Sequence, residues 1–366
     1  MSFKLYIHYI YNKYAREWPV ETHGKVRVSA EDRLNVWQLC KTYLGGEWSD
    51  VCADDLVIKP AMGGFVNKIL FCFLPDSIDH EQVKYPKVVV KYFDVDCFER
   101  CGINLTHLLA VNSHYFNAGD DLNPTAVSVL AQKVAKLHSL DMPIPKDSAD
   151  WHMKIIMDIR FPESDRESYR NGSVRQEIQK NKNDYKTLIS LNLLDELDWL
   201  RRMCEHIDSP VVFSHCDLNR RNTLVREGGV GPGLDDVYII DWDWCCYTYR
   251  GADFGDYFMN WCQTELDFGG EPFPTDDQML VFIDAYIREM TAINGNSFTK
   301  LEINSRQRLI KEAKVFTLLG YIKEVCYCLK QYGRHGKLEM MPKGEQRLKV
   351  YAILKDRILD EYPELQ

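Results

Sequence analysis

A short apolar run, Val211-Val212-Phe213, gives way to His215-Cys216-Asp217 and, five residues on, to Asn222. A second run, Val237-Tyr238-Ile239-Ile240, breaks the same way at Asp241-Trp242-Asp243. Neither run is long enough for a core helix, and both are rich in β-branched and aromatic residues, so each reads as a short strand ending in a polar loop. His, Asp and Asn also cap and brace turns, so either half alone says little. The combination constrains much more. A strand, then HxDxxxxN, then a strand ending in Asp241, 19 positions after Asn222, concentrates oxygen donors at neighbouring strand ends.

Around this centre the chain is long enough for about two domains, at roughly 150 residues each. Its 366 residues are 45% hydrophobic and 27% charged, ordinary values for a packed core. A net charge of −9 argues against a nucleic-acid or anionic-membrane surface and leaves a cationic or neutral small substrate open. The N-terminal stretch MSFKLYIHYIYNKYAREW is broken by charges and lacks a signal-peptide core, and no apolar run approaches the roughly 20 residues of a membrane span. The 12 cysteines form no pair of CxxC halves, so buried, reduced thiols are expected rather than zinc. The expectation is a cytoplasmic protein with no stable membrane insertion and no nucleic-acid partner.

Residues 55–75 read as a strand pair about a Gly63-Gly64 turn, and Lys87 to Phe93 as a further strand. Asn123-Pro124 opens a helix, with Asn123 as its cap. Asp195 to Ile207, Asp276 to Ile293 and Thr299 to Tyr332 carry helical patterns. The glycines of EGGVGPGLDD fit neither GxGxxG nor GxxxxGK[ST], which excludes a Rossmann or P-loop site there. The expected fold class is therefore α+β: a small β-rich N-terminal lobe over 1–117 and a larger, mostly helical lobe over 118–366.

Phosphoryl transfer needs a carboxylate beside the acceptor hydroxyl and oxygen ligands for Mg²⁺ beside the phosphates. The spacing of His215, Asp217 and Asn222 is that of a kinase catalytic loop, with Asp217 facing the hydroxyl and Asn222 and Asp241 facing metal. FSHCDLNRRNTLV followed by YIIDWDWCCYTYRGADFGDYFMNW resembles the choline/ethanolamine kinases over Pro210 to Trp261, and more loosely through KLHSLDMP and AMGGFVNKILFCFLPD. That resemblance implies a two-lobed protein-kinase-like fold, ATP and Mg²⁺ as cofactors, and a small amino alcohol, choline or ethanolamine, as acceptor. It implies Asp217 as catalytic base, with Asn222, Asp241 and Asp243 at the metal. Gly63, Gly64 and Asn67 would cover the phosphates, Lys91 would reach them, and Tyr115 and Phe116 would offer backbone groups to adenine. Asn260, Glu324 and Tyr327 would line the acceptor pocket beside Asp217. Arg250 and Asp253 match a buried bracing pair behind the loop. A homodimer is compatible with this reading, and no pattern after residue 262 specifies one.

Two departures stand out. From Lys91 to Ser113 is 22 positions, whereas a helix, two strands and their connections need roughly 36. The long helix that supplies a Glu partner for the basic residue is thus expected to be missing or shortened. The acceptor pocket also carries Asn260 and Glu324 where the family has Glu and Trp, which leans toward a primary amine. The rival readings are a pseudokinase that binds without useful turnover, and a kinase for another small hydroxyl compound.

Overall fold

The computed structural model describes residues 28–60, 68–79, 83, 87–92, 108–109, 113–142, 144, 146–226, 236–242, 244–264 and 270–366. The chain forms two compact units, Met1–His114 with Ile240–Asp243, and Tyr115–Ile239 with Trp244–Gln366.

In the first unit, helix α1 (Ala30–Tyr43) starts at Ser29, whose hydroxyl accepts from the Asp32 amide while the Asp32 carboxylate accepts from the Ser29 amide. This reciprocal cap satisfies donors that a helix start otherwise leaves open. Strands β1 (Val57–Pro60), β2 (Lys68–Phe73), β3 (Lys87–Tyr92) and β4 (Leu108–Leu109) form an antiparallel sheet in that order. Leu70, Cys72, Val88 and Val90 point from the sheet into a core shared with Val36, Cys40 and Trp48. The expected strands at 55–75 and 87–93 are both present. The stretch assigned a missing helix lies mainly outside the described residues.

The second unit is mostly helical. Strand β5 (Ser113–Tyr115) runs across the boundary between the units. Helix α2 (Pro124–His138) is capped by Asn123, which accepts from the Thr125 and Ala126 amides. Helix α3 (Leu193–Ile207) precedes β6 (Val211–Ser214), β7 (Thr223–Arg226), β8 (Val237–Ile239) and β9 (Cys246–Tyr249). β6 pairs antiparallel with β9, and β7 with β8. Helices α4 (Gly251–Asn260), α5 (Asp276–Asn294), α6 (Arg306–His335) and α7 (Met340–Glu361) complete the unit. The helix expected from Thr299 starts later, at Arg306, because Ser305 caps it there and two 3₁₀ turns take up the residues before.

α4 positions the site. All ten of its residues are buried, and it lies directly on the backbone of α6. A Cβ on Gly255 would stand 2.4 Å from the Phe316 carbonyl carbon, so only glycine permits this approach. Among the described residues no helix is long and apolar enough to cross a membrane.

Candidate active site

The loop after β6 is held at both ends by buried charge. At its start the amides of His215 and Cys216 each donate to the Asp253 carboxylate at 2.8 Å. Cys216 has φ +66°, a left-handed conformation costly for a side chain with a Cβ. Asp253 therefore fixes the backbone where it is least willing to stay. His138 Nε2 lies 3.1 Å from Asp253, and its Nδ1 is 3.0 Å from the Tyr286 hydroxyl. Burial alone would push the Asp253 carboxyl up, but His138 and the neighbouring His215 outweigh it and hold the group below its usual range.

At the other end Arg220 donates through Nε to the Asn260 carbonyl at 2.7 Å and forms an ion pair with Asp121. Asp121 also accepts from the Cys262 amide at 2.7 Å and the Tyr257 hydroxyl at 3.2 Å. Burial still raises the Asp121 carboxyl to about 6, against the pull of Arg220.

Between these clamps sits Asp217, half-buried. Asn222 Nδ2 donates to its carboxylate and to its backbone carbonyl, both at 2.9 Å. A carboxylate only accepts, so this contact orients the amide nitrogen of Asn222 toward Asp217 and keeps Oδ1 as the oxygen that could meet a cation. Nearby, α4 and α6 contribute a buried ion pair, Lys323 Nζ to Asp256 at 2.9 and 3.1 Å. Burial raises the Asp256 carboxyl to about 7 against the pull of Lys323, and the charge on Asp217 adds to the rise. Burial works to lower the Lys323 ammonium, but Asp256 and then Asp217 outweigh it and raise it.

The remaining expected residues fall out unevenly. Asp241 follows β8 with φ +68° and is half-buried; its contacts group it with the first unit. Asp243, Gly63, Gly64 and Asn67 lie outside the described residues. Lys91 stands on β3 opposite Ile69. Tyr115 is exposed, whereas Phe116 is buried and its amide donates to the Thr223 carbonyl at 2.9 Å. That amide is engaged within the fold. Asn260 is buried; its amide nitrogen donates to the Asp256 carbonyl at 2.7 Å, while its Oδ1 has no hydrogen-bond partner. It borders a small enclosed void with Asp121, Asn219 and Tyr257, on the Arg220 side of the loop. Glu324 lies 3.7 Å from Arg347, which answers its charge. The Tyr327 ring faces the Arg160 guanidinium. Arg250 and Asp253 do not pair with one another: Arg250 binds Glu312 at 2.7 Å and Asn304 at 2.8 Å, whereas Asp253 serves the loop.

Sequence reasoning missed His138, Arg220, Asp256, Lys323, Arg160 and Trp244. His138, Arg220, Trp244 and Asp256 lay inside stretches already quoted, KLHSLDMP, the loop itself and YIIDWDWCCYTYRGADFGDYFMNW. Asp256 meets Lys323 through the packing of α4 on α6, and Arg160 meets Trp244 and Tyr327 from a separate helical segment, so neither contact carries a local signature.

A family model described as choline/ethanolamine kinase matches residues 111–352. Human choline/ethanolamine kinase is 24% identical over alignments covering 78% of this chain and 75% of that protein. Choline kinase A2 of Caenorhabditis elegans is 24% identical, covering 86% of each. The crystal structure of choline kinase from Cryptosporidium parvum shares the fold with a TM-score of 0.61 at 17% identity, covering 90% of this chain and 97% of that one. Plasmodium vivax ethanolamine kinase gives 0.55 at 15% identity, covering 89% of both chains. The fold is thus the α+β, protein-kinase-like one, and the chain belongs to the choline/ethanolamine kinase family.

Proposed function

We propose that this chain transfers the γ-phosphoryl group of ATP to the hydroxyl of choline or ethanolamine, giving ADP and the phosphomonoester. The observation that carries this is the Asp217 loop: a carboxylate held by Asn222, on a backbone fixed by Asp253 at one end and Arg220 at the other. The acceptor oxygen attacks phosphorus, the bond to the ADP oxygen breaks, and Asp217 orients the hydroxyl and takes its proton.

The donor set suits Mg²⁺, a hard ion that takes oxygen ligands. Asn222 through Oδ1, with Asp241 and Asp243, would hold it, and when bound it would neutralise charge on the phosphates. Lys91 is proposed to meet the same phosphates, with Gly63, Gly64 and Asn67 covering them. The described cysteines are free thiols, which supports a reducing, cytoplasmic setting. The fixed loop favours turnover over a binding-only pseudokinase.

The test is Mg·ATP turnover by the purified chain with choline and with ethanolamine. Asp217→Ala should lower kcat by about 10²–10⁴-fold, the range of a lost general base, while the thermal transition stays close to that of the parent. Undiminished turnover in the variant would remove Asp217 from the chemistry.

A further inference from the structure

Arg160 ends a helical segment, Trp151–Lys154, that continues as a π-helix over Ile155–Arg160. The wide turn is sealed by Phe161, whose amide reaches back to the Ile156 carbonyl at 2.6 Å and whose side chain is fully buried. Widened turns of this kind recur at functional sites. Here the turn delivers a guanidinium to two aromatic rings. Its central carbon lies 5.9 Å from the centre of the Trp244 ring and 5.4 Å from that of Tyr327. Both rings are half-buried, and among the described residues Arg160 forms no ion pair with a carboxylate. Among the described residues the two rings are what it meets.

Two contacts tie the segments that carry this ring pair to the Asp217 loop. The β6–β9 register sets Ser214 opposite Cys246, and the Cys245 thiol donates to the His215 carbonyl at 3.7 Å. Trp244 immediately precedes Cys245 in the turn before β9, as Cys216 and Asp217 follow His215. Tyr327 follows Lys323 by one helical turn on α6, and the Lys323 ammonium feels both Asp217 and Arg160. A cation seated between Trp244 and Tyr327 is thus held by segments that also reach the Asp217 loop.

A cation over an aromatic face is held by the ring quadrupole, and a substituted ammonium and a guanidinium compete for the same faces. We infer that Arg160 is an internal competitor for the acceptor's cationic head: its guanidinium fills the Trp244–Tyr327 pair, and a substituted ammonium binds there only by displacing it. This rests on the reading that the acceptor is a cationic amino alcohol. The displaced contact sets a penalty on every cationic head, so the site should bind such heads more weakly than the same two rings would without Arg160.

Tetramethylammonium tests this without turnover, since it has the cationic head and no hydroxyl. Its dissociation constant is measured by calorimetry on the parent, Arg160→Gln, Trp244→Leu and the double variant, with a thermal transition for each. Binding to Arg160→Gln should tighten by on the order of tenfold, the scale of one partly desolvated cation–π contact. In the Trp244→Leu background the same change should give little or no gain. Unchanged or weaker binding in Arg160→Gln overturns the inference. A full gain that persists without the Trp244 ring also overturns it, because simple removal of a positive charge would then suffice. If Trp244→Leu does not fold, Tyr327→Leu removes the other ring and takes its place. Choline and ethanolamine turnover by the same parent preparation reports separately on the proposed function: its absence would sink that reading and leave the tetramethylammonium result standing.

Discussion

Asp253 and Asp256 are buried carboxylates one turn apart on α4, and they behave in opposite ways. Asp253 accepts two backbone amides and faces His138, so its charged form is stabilised despite burial and its pKa falls. Asp256 has one strong partner, Lys323, and two carboxylates nearby, so burial prevails and its pKa rises to about 7. Burial is common to both. What separates them is the number of donors aimed at the oxygens and the sign of the nearest charges. The first carboxylate is suited to fixing a loop, the second to holding a buried ion pair with Lys323.

The largest expected effect breaks the first of these. Asp253→Asn leaves one acceptor oxygen for two amides, and Cys216 loses part of what keeps it at positive φ. Stability should fall by about 3–5 kcal/mol, as when a buried charge partner is removed, and kcat should fall with it. Denaturant unfolding and turnover check this together. An intact kcat in a folded variant would mean that the loop holds its shape without Asp253.

Lys323→Met should cost less, about 1–3 kcal/mol, because Asp256 can take up a proton where an unpaired charge would be left buried. The double variant Lys323→Met with Asp256→Asn should recover part of that loss, a coupling that a double-mutant cycle would measure. Strict additivity would mean that the two side chains contribute independently of their ion pair.

A further effect is in pH dependence. Asp256 titrates at 3.8 when unperturbed and at about 7 in the fold, so over that window the folded chain holds a proton that the unfolded chain has lost. Its contribution to stability therefore falls as pH rises from about 4 to about 7. Asp253 has the opposite sign: with its pKa lowered, its contribution is present above the unfolded value and is lost as pH falls through the folded one. Thermal transitions of Asp256→Asn across this range should show the falling component removed. An unchanged slope would assign it to Asp121, which is also raised.

The candidate loop was legible because its residues are local. His215, Asp217 and Asn222 lie within eight residues, and backbone geometry brings that spacing together in any chain that forms the two flanking strands. Helix caps such as Asn123 and the strands at 57–60, 68–73 and 87–92 were legible for the same reason. The start of α6 was misread because Ser305 caps it, while the apolar pattern began several residues earlier.

From the sequence by itself, composition and period indicated the α+β class, short-range spacing singled out Asp217 as the candidate acid, and the quoted motifs carried the family resemblance. Only the tertiary structure decided what that acid is surrounded by. Asp253 reaches His138 across 115 positions, and Lys323 reaches Asp256 across 67. Arg160 meets Trp244 and Tyr327 from three separate elements. Partners so far apart are chosen by which helix faces pack, and here α4 packs on α6 at a glycine that lets the two backbones touch. A side chain's charge and reach can be read from its residue type, but its partner depends on packing that no local pattern records.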